Sequence, residues 1–278
     1  MAPGSDAAGS HPDDGGPWAL VTGASGGLGA EMARVLARKG TSAILTARSK
    51  ASLERLAREL GGEHGVATRV MVADLAQPGA GHRLAARILD ECPFVEMLVN
   101  NAGFGQWGFY PGLDGDEETE MLRLNMEALT ALTRGLLPPM LARGRGRILN
   151  VASTAAFLPG PGMTVYYATK AYVLSYSEGL GEELRGTGVT VTCLCPGPTP
   201  TGFQERSGAD QSGLLSLAVV PPERVAREGI DGMLRGRPRV VPGWVNRVTT
   251  LLPRFLPRSW VPKLVKRVQG SRSDGTDA

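Results

Sequence analysis

Short apolar runs alternate along the chain with longer segments in which apolar residues recur at helical spacing. The apolar runs are Trp18–Thr22, Ser42–Thr46, Ala67–Ala73, Val95–Val99, Gly146–Ala152, Val189–Leu194 and Arg239–Val241. Such runs are typical of strands that are covered on both faces. Because helix-length segments separate them, they predict right-handed parallel crossovers. The expected fold is α/β, a doubly wound parallel sheet of about seven strands with helices on both faces.

The segments between the runs carry the helical periodicity. The predicted helices are Glu31–Lys39, Ala51–Leu60, Arg83–Cys92, Glu118–Ala142, Thr164–Arg185 and Pro222–Leu234. In the longest of these, Leu122, Met126, Leu129 and Leu132 form an apolar stripe, and Asn125 lies off much of that stripe. The pattern therefore leaves open whether Asn125 is a site residue or a solvated one.

A glycine-rich segment joins the first predicted strand to the first predicted helix. It reads Gly23-Ala-Ser-Gly-Gly-Leu-Gly29. Glycines at such a junction let the backbone approach a pyrophosphate, whose charge is met by the positive end of the following helix. Many tight turns need glycine, so the segment gains its weight from the strand that precedes it. This position indicates a Rossmann-type dinucleotide-binding domain, which we assign to residues 17–242.

Arg48 follows the second apolar run, where many dinucleotide-binding folds place an acid that holds the adenosine ribose hydroxyls. Its guanidinium suits a 2′-phosphate, so the residue favours NADP(H) over NAD(H). The competing interpretation is a solvated surface arginine.

Tyr166 and Lys170 lie four positions apart in a predicted helix. Side chains at this spacing share one face, which places a phenol beside an ammonium. The positive charge is expected to lower the tyrosine pKa from its usual value of about 10. Ser153 ends a buried strand, where its hydroxyl could hold a substrate carbonyl. Tyr167, at i+3 from Lys170, could equally be a core aromatic.

Segments after the sixth run can border this site. Pro196–Thr201 is a rigid, turn-rich segment at the carboxyl edge of the predicted sheet. Phe203–Val219 is poorly periodic, and we predict a mobile lid over the substrate there. An ordinary surface loop is the alternative for this second segment.

Composition adds several exclusions. The chain has 278 residues, of which 42% are hydrophobic, and contains no run as long as a membrane-spanning helix. Cys92, Cys193 and Cys195 show no zinc-like spacing with a histidine, so we expect core packing and assign no metal site.

Residues 1–16 lack the apolar stretch of a signal peptide. We predict a disordered N-terminal tail, a second one at residues 271–278, and a cytoplasmic protein.

The segment 243–270 differs from the rest of the chain in charge. Ten basic residues and no acid lie between Gly232 and Ser273, whereas the whole chain has a net charge of only +3. Basic amphipathic helices are predicted from apolar residues at helical spacing, namely Trp244, Val248, Leu251, Leu252 and Phe255, and then Val261, Leu264, Val265 and Val268.

These helices could cap the domain's own core, roof a pocket for an apolar substrate, pack against another subunit or lie on an anionic membrane. The basic positions alternate with an apolar face and not with a base-stacking platform. Nucleic acid is therefore not expected as a partner.

Taken together, these features resemble the short-chain dehydrogenase/reductase family, of the NADP-preferring type, from about Trp18 to about Pro242. The resemblance rests on the order and approximate spacing of Thr22-Gly-Ala-Ser-Gly-Gly-Leu-Gly29, Asp74-Leu75, Asn100-Asn-Ala-Gly103, Asn125, Ser153, Tyr166-x-x-x-Lys170 and Pro196-Gly197. Tyr166, and not Tyr167, fits the family's pattern.

The resemblance implies a catalytic set of Asn125, Ser153, Tyr166 and Lys170. In that set Ser153 steadies a carbonyl oxygen and Tyr166 supplies a proton, while Asn125 holds a water that links Lys170 to solvent. The resemblance further implies that Gly23, Gly27 and Gly29 shape a diphosphate loop. On the adenosine side it implies that Ser25 and Arg48 meet the 2′-phosphate, that Asp74 contacts adenine and that Asn101 helps to hold this part of the cofactor. On the nicotinamide side it implies that Lys170 holds the ribose and that Thr199 or Thr201 meets the carboxamide. The full set implied to bind NADP(H) is Gly23, Ser25, Gly27, Leu28, Gly29, Arg48, Asp74, Leu75, Asn101, Tyr166, Lys170, Pro196, Gly197, Thr199 and Thr201.

We therefore expect an NADPH-dependent oxidoreductase that interconverts a carbonyl and a secondary alcohol. The apolar C-terminal helices and the predicted lid favour a small hydrophobic substrate, such as an oxoacyl, steroid-like or polyketide-derived compound. We also expect a homo-oligomer, with peripheral membrane contact through the basic helices as a further hypothesis. The alternatives are a non-catalytic NADP-sensing protein and a membrane-surface scaffolding protein with the same fold.

Overall fold

A computed structural model describes residues 16–92, 94–201 and 218–268. In these ranges the chain forms a sheet of seven strands in the order β3-β2-β1-β4-β5-β6-β7, with every neighbouring pair parallel. The strands are β1 (Trp18–Thr22), β2 (Ser42–Thr46), β3 (Thr68–Val70), β4 (Val95–Asn100), β5 (Gly146–Val151), β6 (Val189–Leu194) and β7 (Arg239–Val240). This sheet confirms the predicted doubly wound fold.

Helices connect the strands and cover both faces of the sheet. The helices are α1 (Gly27–Arg38), α2 (Lys50–His64), α3 (Ala80–Glu91), α4 (Gly115–Leu122), α5 (Leu129–Ala142), α6 (Thr164–Glu183), α7 (Pro222–Leu234), α8 (Trp244–Leu251) and α9 (Val261–Val268). A π-helical segment, Arg123–Ala128, joins α4 to α5, and 3-10 turns occupy Tyr110–Gly112, Thr154–Phe157 and Leu252–Phe255.

The two faces of the sheet bury separate apolar cores. On one face α1, α2 and α7 pack through residues such as Met32, Leu53 and Ile230. On the other face α3 and α5 pack through residues such as Leu84 and Leu132. Since the strands are covered on both sides, their sequences are continuously apolar, which is why the apolar runs located them.

The helix α1 begins at Gly27, earlier than the predicted start at Glu31. Its first turn consists of glycines and Leu28, which carry little helical periodicity, so the apolar stripe became visible only later in the helix. The correction matters because the amides of that first turn lie at the glycine-rich segment.

Other boundaries also differ from the prediction: α2 continues to His64 and α3 begins at Ala80. The third strand is limited to Thr68–Val70, although the backbone amides of Met71 and Ala73 still donate to Leu45 and Ala47 of the neighbouring chain segment. The predicted helix Glu118–Ala142 is the succession of α4, the π-helical segment and α5.

The C-terminal helices occupy the predicted region, and the structure shows which side of α8 faces the domain. Trp244, Val248 and Leu251 are exposed, whereas Asn246 and Thr250 are buried against the domain. The interpretation that this apolar stripe caps the domain's own core is therefore wrong for α8, which packs through its polar side.

Some predictions fall outside the described residues. These are the N-terminal tail up to residue 15, the predicted lid except Ala218 and Val219, and the C-terminal tail. Among the helices that are described, none has the length and apolar character needed to span a bilayer.

Candidate active site

A cleft of about 790 Å³ opens at the carboxyl ends of the strands. It lies where β1 and β4 are neighbours and the strand order reverses, the place where open α/β sheets bind ligands. All of the residues assigned to cofactor binding from the sequence line it, together with Ser153. The structure thus gathers into one cavity residues that are spread over much of the chain.

The glycine-rich segment packs so closely that side chains would not fit. A Cβ atom at Gly29 would lie 2.3 Å from the carbonyl oxygen of Gly23, and Gly23 itself has a φ of +68°, which favours glycine. The first turn of α1 begins within this segment at Gly27, and the leading amides of a helix have no partner inside the helix. The arrangement is a cradle for a negatively charged group at a helix N-terminus.

Asn101 holds this cradle in place from the end of β4. Its Nδ2 donates to the carbonyl oxygen of Thr22 at 2.9 Å and to that of Gly23 at 3.4 Å, and its backbone amide donates to Thr22 Oγ1. Since the side-chain donors are used within the protein, Asn101 positions the glycine-rich segment. The suggested role on the adenosine side stays a prediction.

Arg48 stands at the carboxyl end of β2 and lines the cleft. The next residue, Ser49, caps α2 by accepting from the backbone amide of Ser52, so the chain turns away directly after Arg48. Within the described ranges no carboxylate forms an ion pair with Arg48. At the carboxyl end of β2 the cleft therefore has a cation in the place of an acid, which fits a phosphorylated ribose better than free hydroxyls.

Tyr166 and Ser153 meet deeper in the cleft. Ser153 begins the 3-10 turn after β5, where its Oγ accepts from the backbone amide of Ala155 at 3.1 Å. Tyr166, on the first turns of α6, is hydrogen-bonded to the Ser153 side chain. Burial raises the pKa of the Tyr166 phenol above its usual range, and the hydrogen bond with Ser153 acts in the opposite direction.

Lys170 lies one turn further along α6 and is also buried. Its Nζ donates to the carbonyl oxygen of Val151 at 2.9 Å and lies 5.7 Å from the centroid of the Tyr166 ring. Burial lowers the pKa of Lys170 to about 8, because a charged amine loses hydration there. The predicted facing of Tyr166 and Lys170 is thus present.

The expected net lowering of the Tyr166 pKa is wrong. The sequence suggested a lowered tyrosine pKa, but desolvation is the largest influence on the phenol and raises its pKa. Sequence spacing reveals the neighbouring charge but not the burial. The phenol is held protonated at neutral pH and can donate a proton.

Asn125 is 2% exposed, which excludes the solvated interpretation. Its Oδ1 accepts from the Phe104 amide at 3.1 Å, and its Nδ2 donates to the Phe104 carbonyl oxygen and to Thr169 Oγ1 at 2.9 and 3.0 Å. Asn125 lies in the π-helical segment and does not line the cleft. It joins the loop after β4 to α6, behind Tyr166 and Lys170. Its suggested role in holding a water stays a prediction.

An apolar wall was missed by the sequence analysis. The cleft is also lined by Phe104, Trp107, Leu124, Met163 and Tyr167. Tyr167 packs edge-on against Tyr166, with the ring centroids 6.1 Å apart. No periodic pattern marks these positions because they come from loops and from helix ends.

A buried chain of amides behind the cleft was also missed. Asn100 Nδ2 donates to Asn150 Oδ1 at 2.9 Å and to Thr133 Oγ1, and Asn150 Nδ2 donates to Ser177 Oγ at 3.0 Å. These bonds tie the ends of β4 and β5 to α5 and α6. The asparagines that end apolar runs were the available signal.

The cysteines show the predicted core packing at two positions. Cys193 and Cys195 are buried, with Sγ atoms 3.7 Å apart, while Cys92 is partly exposed. In the part of the chain that the structure describes, no three His, Cys, Asp or Glu side chains gather as a metal site.

Comparison with known proteins agrees with this geometry. The sequence profile of the family described as short chain dehydrogenase matches residues 17–212. A very-long-chain 3-oxoacyl-CoA reductase from Anas platyrhynchos is 37% identical over 187 residues, which span 65% of this chain and 59% of that protein.

Solved structures extend the similarity to nearly the whole fold. A short-chain dehydrogenase from Sphingobium yanoikuyae in complex with NADPH is 32% identical, with a TM-score of 0.77 over 92% of this chain and 99% of that one. The bulky-bulky ketone specific alcohol dehydrogenase from Comamonas testosteroni is 29% identical, with a TM-score of 0.73 over 94% and 99% of the two chains.

The fold and the cleft define a class, the doubly wound α/β oxidoreductases that bind a dinucleotide at the strand crossover. Within that class, the chain belongs to the short-chain dehydrogenase/reductase family.

Proposed function

We propose that this protein is an NADPH-dependent carbonyl reductase, or an alcohol dehydrogenase in the reverse direction, that acts on hydrophobic ketones. The observation that carries the proposal is the buried Tyr166 phenol, hydrogen-bonded to Ser153 at the cleft, with the Lys170 amine on the next turn of the same helix. A protonated phenol beside a second hydroxyl is suited to bind and protonate a carbonyl oxygen.

NADPH, held by the glycine-rich cradle and Arg48, would supply the hydride that the carbonyl carbon needs. Ser153 donates a hydrogen bond to the carbonyl oxygen and orients it. Tyr166 donates its proton to that oxygen as negative charge develops there, and the Lys170 ammonium stabilises the resulting phenolate. Asn125 positions this set by bonding to both the Phe104 backbone and Thr169.

The chain's own residues support NADP(H) over NAD(H). The cradle formed by Gly23, Gly29 and the start of α1 accepts a diphosphate without side-chain clash. Arg48, with no acid at its position, supplies the charge for a 2′-phosphate. NADPH is also the ligand of the similar Sphingobium yanoikuyae dehydrogenase.

The apolar wall supports a hydrophobic substrate. Trp107, Met163 and Tyr167 line the cleft and pack in one apolar cluster with Tyr166, so a bulky apolar group on the ketone would displace water from them. The names of the similar proteins, a 3-oxoacyl-CoA reductase and a bulky-bulky ketone specific dehydrogenase, agree with this class of substrate. Oxoacyl, steroid-like and polyketide-derived ketones all meet the requirement.

A non-catalytic NADP-sensing or scaffolding protein is the weaker alternative. Burying an amine beside a phenol destabilises the fold, and a protein that only senses NADP(H) gains nothing from that arrangement. The presence of Ser153, Tyr166 and Lys170 at one place in the cleft therefore favours catalysis. We further propose a cytoplasmic homo-oligomer.

The experiment is a panel of ketones, with NADPH oxidation followed by absorbance. We expect turnover of ketones with aromatic or long alkyl groups on both sides of the carbonyl, and a kcat/KM at least about tenfold lower for acetone, because each buried methylene adds to binding. Absence of turnover across the panel in both directions, despite NADPH binding, would favour the non-catalytic alternative.

A further inference from the structure

The helix α8 presents its apolar side to solvent. Trp244 is 76% exposed, and Val248 and Leu251 follow it at i+4 and i+7, while the buried residues of the helix are Asn246 and Thr250. A helix on the surface of a soluble domain normally shows the reverse arrangement. The exposed side of α8 is therefore suited to burial against an apolar partner.

The exposed apolar character continues beyond α8. Phe255 is 83% exposed and Trp260 62%, and Leu264 on α9 is also exposed. We call this region the C-terminal surface, with the apolar members Trp244, Val248, Leu251, Leu252, Phe255, Trp260 and Leu264 and the basic members Arg247, Arg254, Arg258, Lys263, Lys266 and Arg267. A concentration of large apolar side chains on the outside of a domain marks an interaction site.

The basic members of the C-terminal surface are nearly free of acidic partners. Arg247 lies 3.9 Å from Glu228, and in the described ranges no ion pair involves any of the other basic members. The sequence contains no acid between Asp231 and Asp274. The surface thus combines uncompensated positive charge with exposed aromatic rings.

The C-terminal surface is anchored beside the cleft. Asn246 Nδ2 donates to the carbonyl oxygens of Ala218 and Pro242, at 3.0 and 2.9 Å. A Cβ atom at Gly197, which lines the cleft, would lie 2.2 Å from Asn246 Oδ1, so α8 rests directly on that segment. Any partner bound to the C-terminal surface would therefore lie next to the cleft.

We propose that the C-terminal surface docks the protein on an anionic lipid bilayer. The aromatic and aliphatic side chains enter the boundary between headgroups and acyl chains, and the arginines and lysines contact the anionic headgroups. The contact is peripheral, and it requires no helix to cross the bilayer. The proposal is independent of catalysis, since it rests on exposure and charge alone.

A second copy of the chain fits this surface less well. A symmetric contact would place the same basic members of both copies against each other, with no acid in the segment to compensate them. An anionic bilayer supplies both the opposite charge and an apolar phase. Charge complementarity therefore favours an anionic bilayer over a second copy of the chain as the partner of this surface.

The test is co-sedimentation of the full chain with vesicles. We expect binding to vesicles of phosphatidylcholine mixed with phosphatidylglycerol, and at least about tenfold weaker binding to vesicles of phosphatidylcholine alone or at high salt. Failure to bind the anionic vesicles, or equal binding to both compositions, would overturn the proposal.

An apolar variant tests the aromatic contribution. Trp244→Ser, Phe255→Ser and Trp260→Ser together should weaken binding to anionic vesicles by at least about tenfold, because their burial in the interface is lost. The matched control replaces three exposed apolar residues elsewhere, Leu89→Ser, Phe109→Ser and Leu141→Ser, and should bind as the wild type does. Equal binding of both variants contradicts docking through the C-terminal surface.

A charge variant tests the electrostatic contribution. Arg254→Gln, Arg258→Gln and Lys263→Gln together should also weaken binding by at least about tenfold. Its control carries the same charge change on other surfaces, as Arg55→Gln, Arg134→Gln and Arg185→Gln. If both charge variants weaken binding equally, the effect is one of net charge and the proposal fails.

Light scattering after gel filtration separates the bilayer from a second copy. The apolar variant should keep the oligomeric mass and the unfolding midpoint of the wild type. A reduced oligomeric mass with unchanged vesicle binding would show that the C-terminal surface is an interface between copies, and would overturn the proposal.

Discussion

Lys170 shows how burial at a single residue sets the behaviour of the cleft. Its pKa falls from the ordinary lysine value to about 8, because the protein around Nζ replaces water. Nζ donates to the Val151 carbonyl oxygen. The amine therefore stays charged at neutral pH but loses its proton at mildly alkaline pH. Tyr166, whose pKa is raised, keeps its proton over the same range.

These directions predict the pH dependence of carbonyl reduction. The reaction needs a protonated Tyr166 and a charged Lys170, so kcat/KM should fall as pH rises through about 8, where Lys170 deprotonates. The Lys170→Arg variant keeps its charge and should shift the falling limb to higher pH, even if its rate is lower. A falling limb at the same pH in both proteins would remove Lys170 from this role.

Arg48 provides a second prediction at the residue scale. The Arg48→Gln variant should weaken NADPH binding by about 10- to 100-fold, because charge-assisted hydrogen bonds to the 2′-phosphate are lost, and should leave NADH binding nearly unchanged. Fluorescence titration measures both affinities. Arg55→Gln, on the exposed side of α2, is the matched control. An equal loss for NADPH and NADH would mean that Arg48 does not read the 2′-phosphate.

At the scale of elements, the junction of β1 and α1 depends on backbone proximity. The carbonyl oxygen of Gly23, the Asn101 amide and the first turn of α1 lie so close together that no Cβ fits at Gly29. Gly27, Leu28 and Gly29 of the first turn of α1 line the cleft. Any widening of the junction would move them away from a bound phosphate.

The Gly29→Ala variant should therefore lose affinity for NADPH by at least about tenfold, since the junction must open to accept the methyl group. Isothermal titration measures the affinity. Gly62→Ala, on α2, is the control, since a Cβ there meets nothing within 4 Å, and it should bind normally. Normal binding by Gly29→Ala would contradict the proposed cradle.

At the scale of the molecule, the sequence predicted the sheet because strands covered on both faces have to be apolar throughout. The family resemblance supplied many of the residues that line the cleft, and they meet there because the carboxyl ends of parallel strands lie at one edge. Features that depend on tertiary packing were not accessible. The burial of Asn125 arises from the loop at Phe104, and the raised pKa of Tyr166 arises from desolvation.

The C-terminal helices illustrate the same limit. Their apolar periodicity was visible in the sequence, but periodicity does not say which side faces the domain. Asn246 decides the orientation of α8 by bonding to carbonyl oxygens beside the cleft, which turns Trp244 and Val248 outward. This contact is incompatible with the apolar side of α8 capping the core, and it leaves that side exposed.

The most direct test of the account is the Tyr166→Phe variant. It keeps the ring and removes only the hydroxyl, so NADPH binding and the unfolding midpoint should match those of the wild type. The rate of NADPH oxidation with a good ketone should fall by about 100-fold or more, because the proposed proton donor to the carbonyl oxygen is removed. Turnover within a few-fold of the wild type would contradict the assignment of Tyr166 as the proton donor.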